Sequence, residues 1–107
     1  MNIQQLKGKS GKIVDGPLLI TPDIKKDERG YFFEAWNQKL FSLKINFFGD
    51  FNQDNISFSK KGTIRGLHYQ IKPYAQNKLV SCLFGSIYDV AVDLRKESET
   101  FGDWIGV

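Results

Sequence analysis

Turn-forming residues recur along the whole chain and divide its 107 residues into short segments. The markers are Gly8, Gly11, Gly16, Pro22, Gly30, Gly49, Gly62, Pro73, Gly85 and Gly102. Turns at such spacings are typical of all-β sandwiches and barrels. With 41% hydrophobic and 14% aromatic residues, the chain has the composition of a folded protein. We therefore predict an all-β architecture with residues 1–107 forming a single domain.

The pattern within these segments predicts individual elements. We expect strands at residues 18–20, 31–35, 51–58, 63–70, 79–84 and 87–94, with a turn at 27–30 before the aromatic second strand. One short helix is predicted near 37–44, with Asn37 as its cap. Residues 101–107 resemble a turn leading into a new apolar strand, so we expect the natural chain to continue.

Charge and cysteine content exclude several classes of protein. The net charge is +3, but Lys and Arg alternate with acidic residues, which argues against a nucleic-acid partner. The lone Cys82 lies in an apolar run, where a buried strand residue is expected, and it allows no internal disulfide. No leader or membrane span is recognisable, so we expect a cytoplasmic protein with no membrane partner.

The sequence offers one histidine, His68, as a centre for chemistry. A single histidine argues against a metal site, which usually needs several ligands at fixed spacing. His68 could instead remove a proton next to a carbonyl, with Lys78 stabilising the enolate from across a hairpin at Pro73. Arg65 could bind phosphate, and Gly66 allows the bulge that would bring Arg65 and His68 to one side. A structural role for His68 is the alternative.

Several segments, taken in order, resemble the motifs of a known family. They are residues 27–34, 51–55, 65–70, 75–80, 88–95 and 100–104, read as DERGYFFE, FNQDN, RGLHYQ, AQNKLV, YDVAVDLR and TFGDW. The chain resembles the dTDP-4-dehydrorhamnose 3,5-epimerases from about Gly16 to its last residue. The resemblance implies a cupin-type jelly roll, here its N-terminal part with the C-terminal strands missing.

The resemblance also implies a function and a set of site residues. It implies a homodimer without metal or cofactor that epimerises a dTDP-linked 4-keto-6-deoxy sugar at C3 and C5, in dTDP-L-rhamnose biosynthesis. His68 is the implied base, and Lys78 is implied to hold the sugar near its keto oxygen. The implied substrate-binding residues are Arg29, Glu34, Gln53, Asp54, Asn55, Arg65 and Lys78, with Arg29 serving the neighbouring subunit.

Two departures from the family pattern leave other functions open. Asn77 replaces a common glycine, a mild change because Asn tolerates left-handed backbone. More seriously, the family's tyrosine acid, the aspartate partner of the histidine and a further histidine lie C-terminal to every residue here. We therefore expect the chain alone to have little turnover. The alternatives are a non-catalytic nucleotide-sugar-binding or interaction domain and a related sugar 3,4-ketoisomerase, although the latter's additional histidines are absent.

Overall fold

The computed structural model describes residues 1–46 and 49–107, and these residues form six strands and one helix. The strands pair as three separate antiparallel hairpins, β1 with β2, β3 with β4 and β5 with β6. The elements are β1 (Asn2–Lys7), β2 (Ile13–Thr21), β3 (Lys25–Asp27), β4 (Gly30–Phe32), α1 (Gln38–Ile45), β5 (Val90–Val92) and β6 (Trp104–Gly106).

The first hairpin extends the predicted strand at 18–20 in both directions. In its register Asn2 lies opposite Thr21 and Lys7 opposite Ile13, with an irregularity between Gln5 and Lys7. Strand β1 was not predicted, because its sequence NIQQLK is mostly polar and lacks the β-branched run that marks a strand. Its pairing with the apolar β2 determines its conformation.

The second hairpin confirms the predicted turn at 27–30. Asp27 Oδ1 accepts a hydrogen bond of 2.9 Å from the Arg29 backbone N–H, a local bond that favours turns. Gly30 has φ +134°, a conformation that side chains rarely tolerate. Strand β4 ends at Phe32, so the predicted strand at 31–35 is shorter than expected.

Helix α1 confirms the predicted helix and its cap. Asn37 Oδ1 accepts a 3.0 Å hydrogen bond from the Leu40 N–H, which satisfies a free donor of the first turn. At the other end Asn46 adopts the left-handed conformation that commonly ends helices. The buried Phe41 packs edge-on against Trp36 at 4.4 Å between ring centroids, so the helix is anchored through an aromatic contact.

The strands predicted at 51–58, 63–70 and 79–84 are not formed, and of the strand predicted at 87–94 only β5 is present. The turns around Gly62 and Pro73 are found where expected: Thr63 N–H donates to the Lys60 carbonyl at 3.1 Å, and Tyr74 N–H to that of Ile71 at 2.8 Å. A strand needs a partner for its backbone hydrogen bonds. The described residues provide none here, so the segment stays irregular.

Cys82 lies in this irregular segment, and its predicted burial was wrong. The thiol is exposed and contacts the Phe84 carbonyl at 3.3 Å. The apolar run around it predicted a core strand, but among residues 1–46 and 49–107 no sheet covers it.

The third hairpin confirms the apolar strand predicted near the last residues. Val90 lies opposite Gly106 and Val92 opposite Trp104, while Ile105 is buried. The turn between β1 and β2 contacts β6: Lys9 N–H donates to the Trp104 carbonyl, and the Lys9 ammonium lies 4.9 Å from the Trp104 ring centroid. These contacts join the first and third hairpins. Among the described residues, no helix has the length and apolar character required to cross a membrane.

Candidate functional site

The imidazole of His68 lies close to the backbone of Gly66. A Cβ built on Gly66 would meet His68 Nδ1 at 3.1 Å, and Gly66 has φ +104°. The positive φ favours glycine, and a Cβ at this position would require the His68 imidazole to shift by a few tenths of an ångström. The bulge expected at Gly66 requires the strand at 63–70, which is not formed, so the bulge stays a prediction. His68 itself is exposed.

Arg65 is held by the loop that precedes it. Its Nε donates to Ser59 Oγ at 2.8 Å and its Nη2 to the Phe58 carbonyl at 3.1 Å. The two contacts fix the direction of the guanidinium, yet Arg65 remains exposed. Because neither partner is charged, its positive charge stays available to an anion.

Lys78 and His68 are exposed, and within residues 1–46 and 49–107 no hydrogen bond or ion pair joins either of them to the other or to Arg65. The facing strand that would place Lys78 opposite His68 is not formed. A cavity shared by Arg65, His68 and Lys78 therefore stays a prediction.

Arg29 lies at the tip of the second hairpin. Its Nη2 contacts Asp27 Oδ2 at 2.6 Å. This hydrogen bond lowers the pKa of the Asp27 carboxyl and raises the pKa of Arg29. A shallow surface groove along the hairpin is lined by Lys25, Lys26, Asp27, Arg29, Gly30, Tyr31 and Phe32. The combination of cations and aromatic rings suits a phosphate attached to a flat base.

The remaining predicted residues are exposed. Gln53 Nε2 donates to Asn55 Oδ1 at 3.0 Å, so these two are brought together, with Asp54 between them. Glu34 follows β4, two residues after its end. The described contacts therefore unite Gln53 with Asn55 but do not join this pair to Glu34.

A buried carboxylate, Asp93, organises the connection between β5 and β6. Its Oδ1 accepts hydrogen bonds from Arg95 N at 3.0 Å and Nε at 2.8 Å. Its Oδ2 accepts from Arg95 Nη2 at 2.9 Å, Ser98 Oγ at 2.6 Å and Thr100 Oγ1 at 2.7 Å. Arg95 Nη2 also donates to the Asp15 carbonyl at 2.8 Å, so the cluster ties this connection to β2.

These donors hold the pKa of Asp93 far below its ordinary value, with the Arg95 hydrogen bond the largest cause. Alternation along residues 87–94 puts Asp93 on the same strand face as Asp89, where the two side chains would be solvated or line a polar cavity. Asp93 is instead buried at 5% exposure, while Asp89 is exposed. The sequence did contain a signal for this burial, because the hydrogen-bond donors Arg95, Ser98 and Thr100 follow Asp93 by two, five and seven residues.

Among the described residues, no group of three or more His, Cys, Asp and Glu side chains is placed to hold a metal ion. The cationic and polar side chains predicted for the site instead suit an anionic organic ligand.

Comparisons with known proteins agree with a strand-built domain of this kind. A crystal structure titled dTDP-4-dehydrorhamnose 3,5-epimerase from Elizabethkingia anophelis NUHP1 superposes with a TM-score of 0.77 at 51% identity, over 90% of this chain and 55% of that chain. The mostly-strand architecture with one short helix fits part of the jelly roll. By fold the chain is therefore part of a cupin-type sugar-nucleotide epimerase domain.

Sequence comparison identifies the family. The family model for dTDP-4-dehydrorhamnose 3,5-epimerase matches residues 12–107. The enzymes of that name from Shigella flexneri and Escherichia coli K12 are 54% and 45% identical over 84% and 88% of this chain, and over 50% and 51% of their own lengths. The chain belongs to the dTDP-4-dehydrorhamnose 3,5-epimerase family, which confirms the resemblance noted in its motifs. It spans about half the length of the curated relatives it matches.

Proposed function

We propose that this chain carries the proton-abstracting part of a dTDP-4-dehydrorhamnose 3,5-epimerase. The observation that carries the proposal is the family match over residues 12–107, which includes every predicted site residue. The exposed imidazole of His68 adds chemical support, because within the described residues no hydrogen bond or ion pair occupies it. A base must be free to accept its proton.

In the proposed reaction, His68 removes the proton from a carbon next to the 4-keto group of the sugar. The electron pair of the broken C–H bond moves into the adjacent C–C bond, and the carbonyl oxygen takes the negative charge. The Lys78 ammonium stabilises this enolate. Return of a proton to the opposite face of the same carbon inverts its configuration. Applied at C3 and then at C5, the sequence changes two centres without net oxidation.

The other predicted residues bind the substrate in this proposal. Arg65, held by Ser59 and the Phe58 carbonyl, directs a planar cation toward the diphosphate. Arg29 lies beside exposed aromatic rings in the hairpin groove, where a nucleotide could stack. Glu34, Gln53, Asp54 and Asn55 provide polar contacts to the nucleotide or its phosphates. The substrate is a dTDP-linked 4-keto-6-deoxy sugar.

We further propose a cytoplasmic homodimer. The second hairpin exposes Tyr31 and Phe32 to 68% and 73%, and such apolar surface favours association. In a dimer, Arg29 of one subunit would serve the site of the other. A non-catalytic sugar-nucleotide-binding domain is the second candidate, because within the described residues no hydrogen bond or ion pair joins Arg65, His68 and Lys78 into one site.

Hydrogen exchange at carbon distinguishes the two candidates. The 4-keto sugar nucleotide is incubated with the chain in D₂O and followed by NMR. We expect slow, His68-dependent deuterium incorporation next to the carbonyl, with product formation reduced by about 10²–10⁴-fold for want of a positioned acid. His68→Asn should lose the incorporation. Incorporation equal in His68→Asn and the parent chain would favour the binding domain, and full-rate product formation would mean that a residue within the chain acts as the acid.

A further inference from the structure

Three aromatic rings, those of Trp36, Phe41 and Phe51, meet beside helix α1 and are here called the aromatic cluster. The Trp36 ring packs against Phe41, with 4.4 Å between ring centroids and 60° between ring planes. It also packs against Phe51, at 4.7 Å and 89°. Edge-to-face pairs of this kind stabilise beyond the burial of the rings themselves. Because Phe41 is only 4% exposed, the cluster ties both Trp36 and Phe51 to the buried face of the helix.

A polar contact next to the aromatic cluster attaches the same part of the chain a second time. Gln38 Nε2 donates to Asp50 Oδ1 at 2.7 Å, and Asp50 directly precedes Phe51. A single contact would allow the backbone to turn about it, whereas contacts at two adjacent residues restrict that rotation. The backbone that continues beyond Phe51 therefore starts from a defined position and direction relative to α1.

Polar side chains predicted to bind substrate lie close to the aromatic cluster on both sides. Glu34 precedes Trp36 by two residues, and Gln53 follows Phe51 by two. Two residues of backbone span at most about 7 Å, so each polar residue lies near a ring that is held in place. Gln53 in turn donates to Asn55 Oδ1 at 3.0 Å. The described hydrogen bonds do not join Glu34 to this pair, but the contact between Trp36 and Phe51 connects the backbone segments that carry them.

We propose that Trp36 is a positioning residue: through its ring contact with Phe51 it holds the pair Gln53 and Asn55 at a fixed place relative to Glu34. The inference rests on the proposed function, in which these three polar residues contact the nucleotide or its phosphates. All three are exposed, so without an anchor their ordering on binding would lower the affinity for the ligand. Trp36 acts on that affinity without touching the ligand.

NMR of the free chain tests the anchor without any ligand. In proton–nitrogen spectra of the complete chain, Trp36→Leu should shift the backbone and side-chain amide resonances of Gln53 and Asn55. Leu43→Ala is the matched control, because Leu43 is 75% exposed on α1 and lines the same surface groove as Trp36. It should leave those resonances in place, and circular dichroism should show both variants folded. If Trp36→Leu does not fold, Phe51→Leu removes the same ring contact from its other side.

Titration with dTDP measures the effect of the anchor on binding. Trp36→Leu should weaken dTDP binding about tenfold, whereas Trp36→Phe keeps an aromatic edge for Phe51 and should stay within about threefold. The same substitution is then made in a chain that carries Gln53→Ala and Asn55→Ala. If Trp36 acts through this pair, Trp36→Leu should weaken binding there by about twofold or less. A general loss of structure would instead cost about tenfold in both backgrounds.

Either of two results would overturn the proposal. The first is a spectrum of Trp36→Leu in which the Gln53 and Asn55 resonances do not move. The second is an equal loss of dTDP affinity from Trp36→Leu in the two backgrounds. A parent chain that binds no dTDP would refute the proposed function instead, and the resonance shifts would still decide whether Trp36 anchors the pair. The two failures are therefore distinguishable.

Discussion

Replacing Asp93 by Asn tests how much the buried hydrogen-bond cluster around its carboxylate contributes to stability. The carboxylate accepts five hydrogen bonds, two through Oδ1 and three through Oδ2. An amide retains one accepting oxygen and turns the other position into a donor. Whichever way the new amide is oriented, its NH₂ group faces at least two donors. At least two of the five donors therefore lose their acceptor.

The magnitude follows from burial and charge. A hydrogen bond to a charged group contributes about 1.5–3 kcal/mol net, and breaking a buried pair typically costs about 3–5 kcal/mol. The Asp93 side chain is 1% exposed, but that of Arg95 is 53% exposed and can regain water. We therefore expect Asp93→Asn to lower the free energy of unfolding by about 3 kcal/mol, at the lower end of the range for a broken buried pair. For a domain of this size that lowers the midpoint of thermal unfolding by about 12–24 °C.

The pH dependence has a defined sign. The folded-state pKa of Asp93 lies below its ordinary value, so the ionised carboxylate stabilises the fold above the unfolded-state pKa of about 3.9. This contribution declines as the pH falls below about 5, because the unfolded chain takes up a proton that the folded chain does not. The difference in stability between the parent chain and Asp93→Asn should narrow on acidification, by up to about 1.4 kcal/mol per pH unit.

Urea unfolding at pH 7, 5 and 3, followed by tryptophan fluorescence, measures both effects. Asp89→Asn is the matched control: it removes the same charge from an exposed position four residues earlier. It should change the free energy of unfolding by about 0.5 kcal/mol or less. The reasoning is refuted if Asp93→Asn is no more destabilising than Asp89→Asn, or if their difference does not depend on pH.

The remaining predictions concern the base and the assembly. Gly66→Ala should lower carbon–deuterium exchange toward the level of His68→Asn, because its Cβ would displace the imidazole; Gly62→Ala, with a similar φ of +83° but open space around it, should retain exchange. If both glycine variants lose deuterium exchange equally, backbone strain rather than displacement of the imidazole explains the loss. The free chain should have twice its monomer mass by light scattering, and a monomer at high concentration would contradict the proposed homodimer.

Local sequence determined several features of this protein by itself. The turn at 27–30 and the Asn37 cap were predictable because each depends on side chains within three residues of the backbone they contact. The strands at 18–20 and near the last residues were predictable from short apolar runs. The motifs also identified the family, and they still provide the only assignment of roles to His68, Lys78 and the substrate-binding residues.

Only the tertiary structure decided which apolar runs became strands and which polar groups were buried. Residues 63–70 and 79–84 have strand-type sequences, yet a strand requires backbone partners that lie far away in the chain or on another polypeptide. The polar β1 forms because β2 pairs with it. Asp93 is buried, rather than solvated like Asp89, because Arg95, Ser98 and Thr100 converge on its carboxylate. Pairing and burial depend on what surrounds a residue in space, and local sequence does not specify those surroundings.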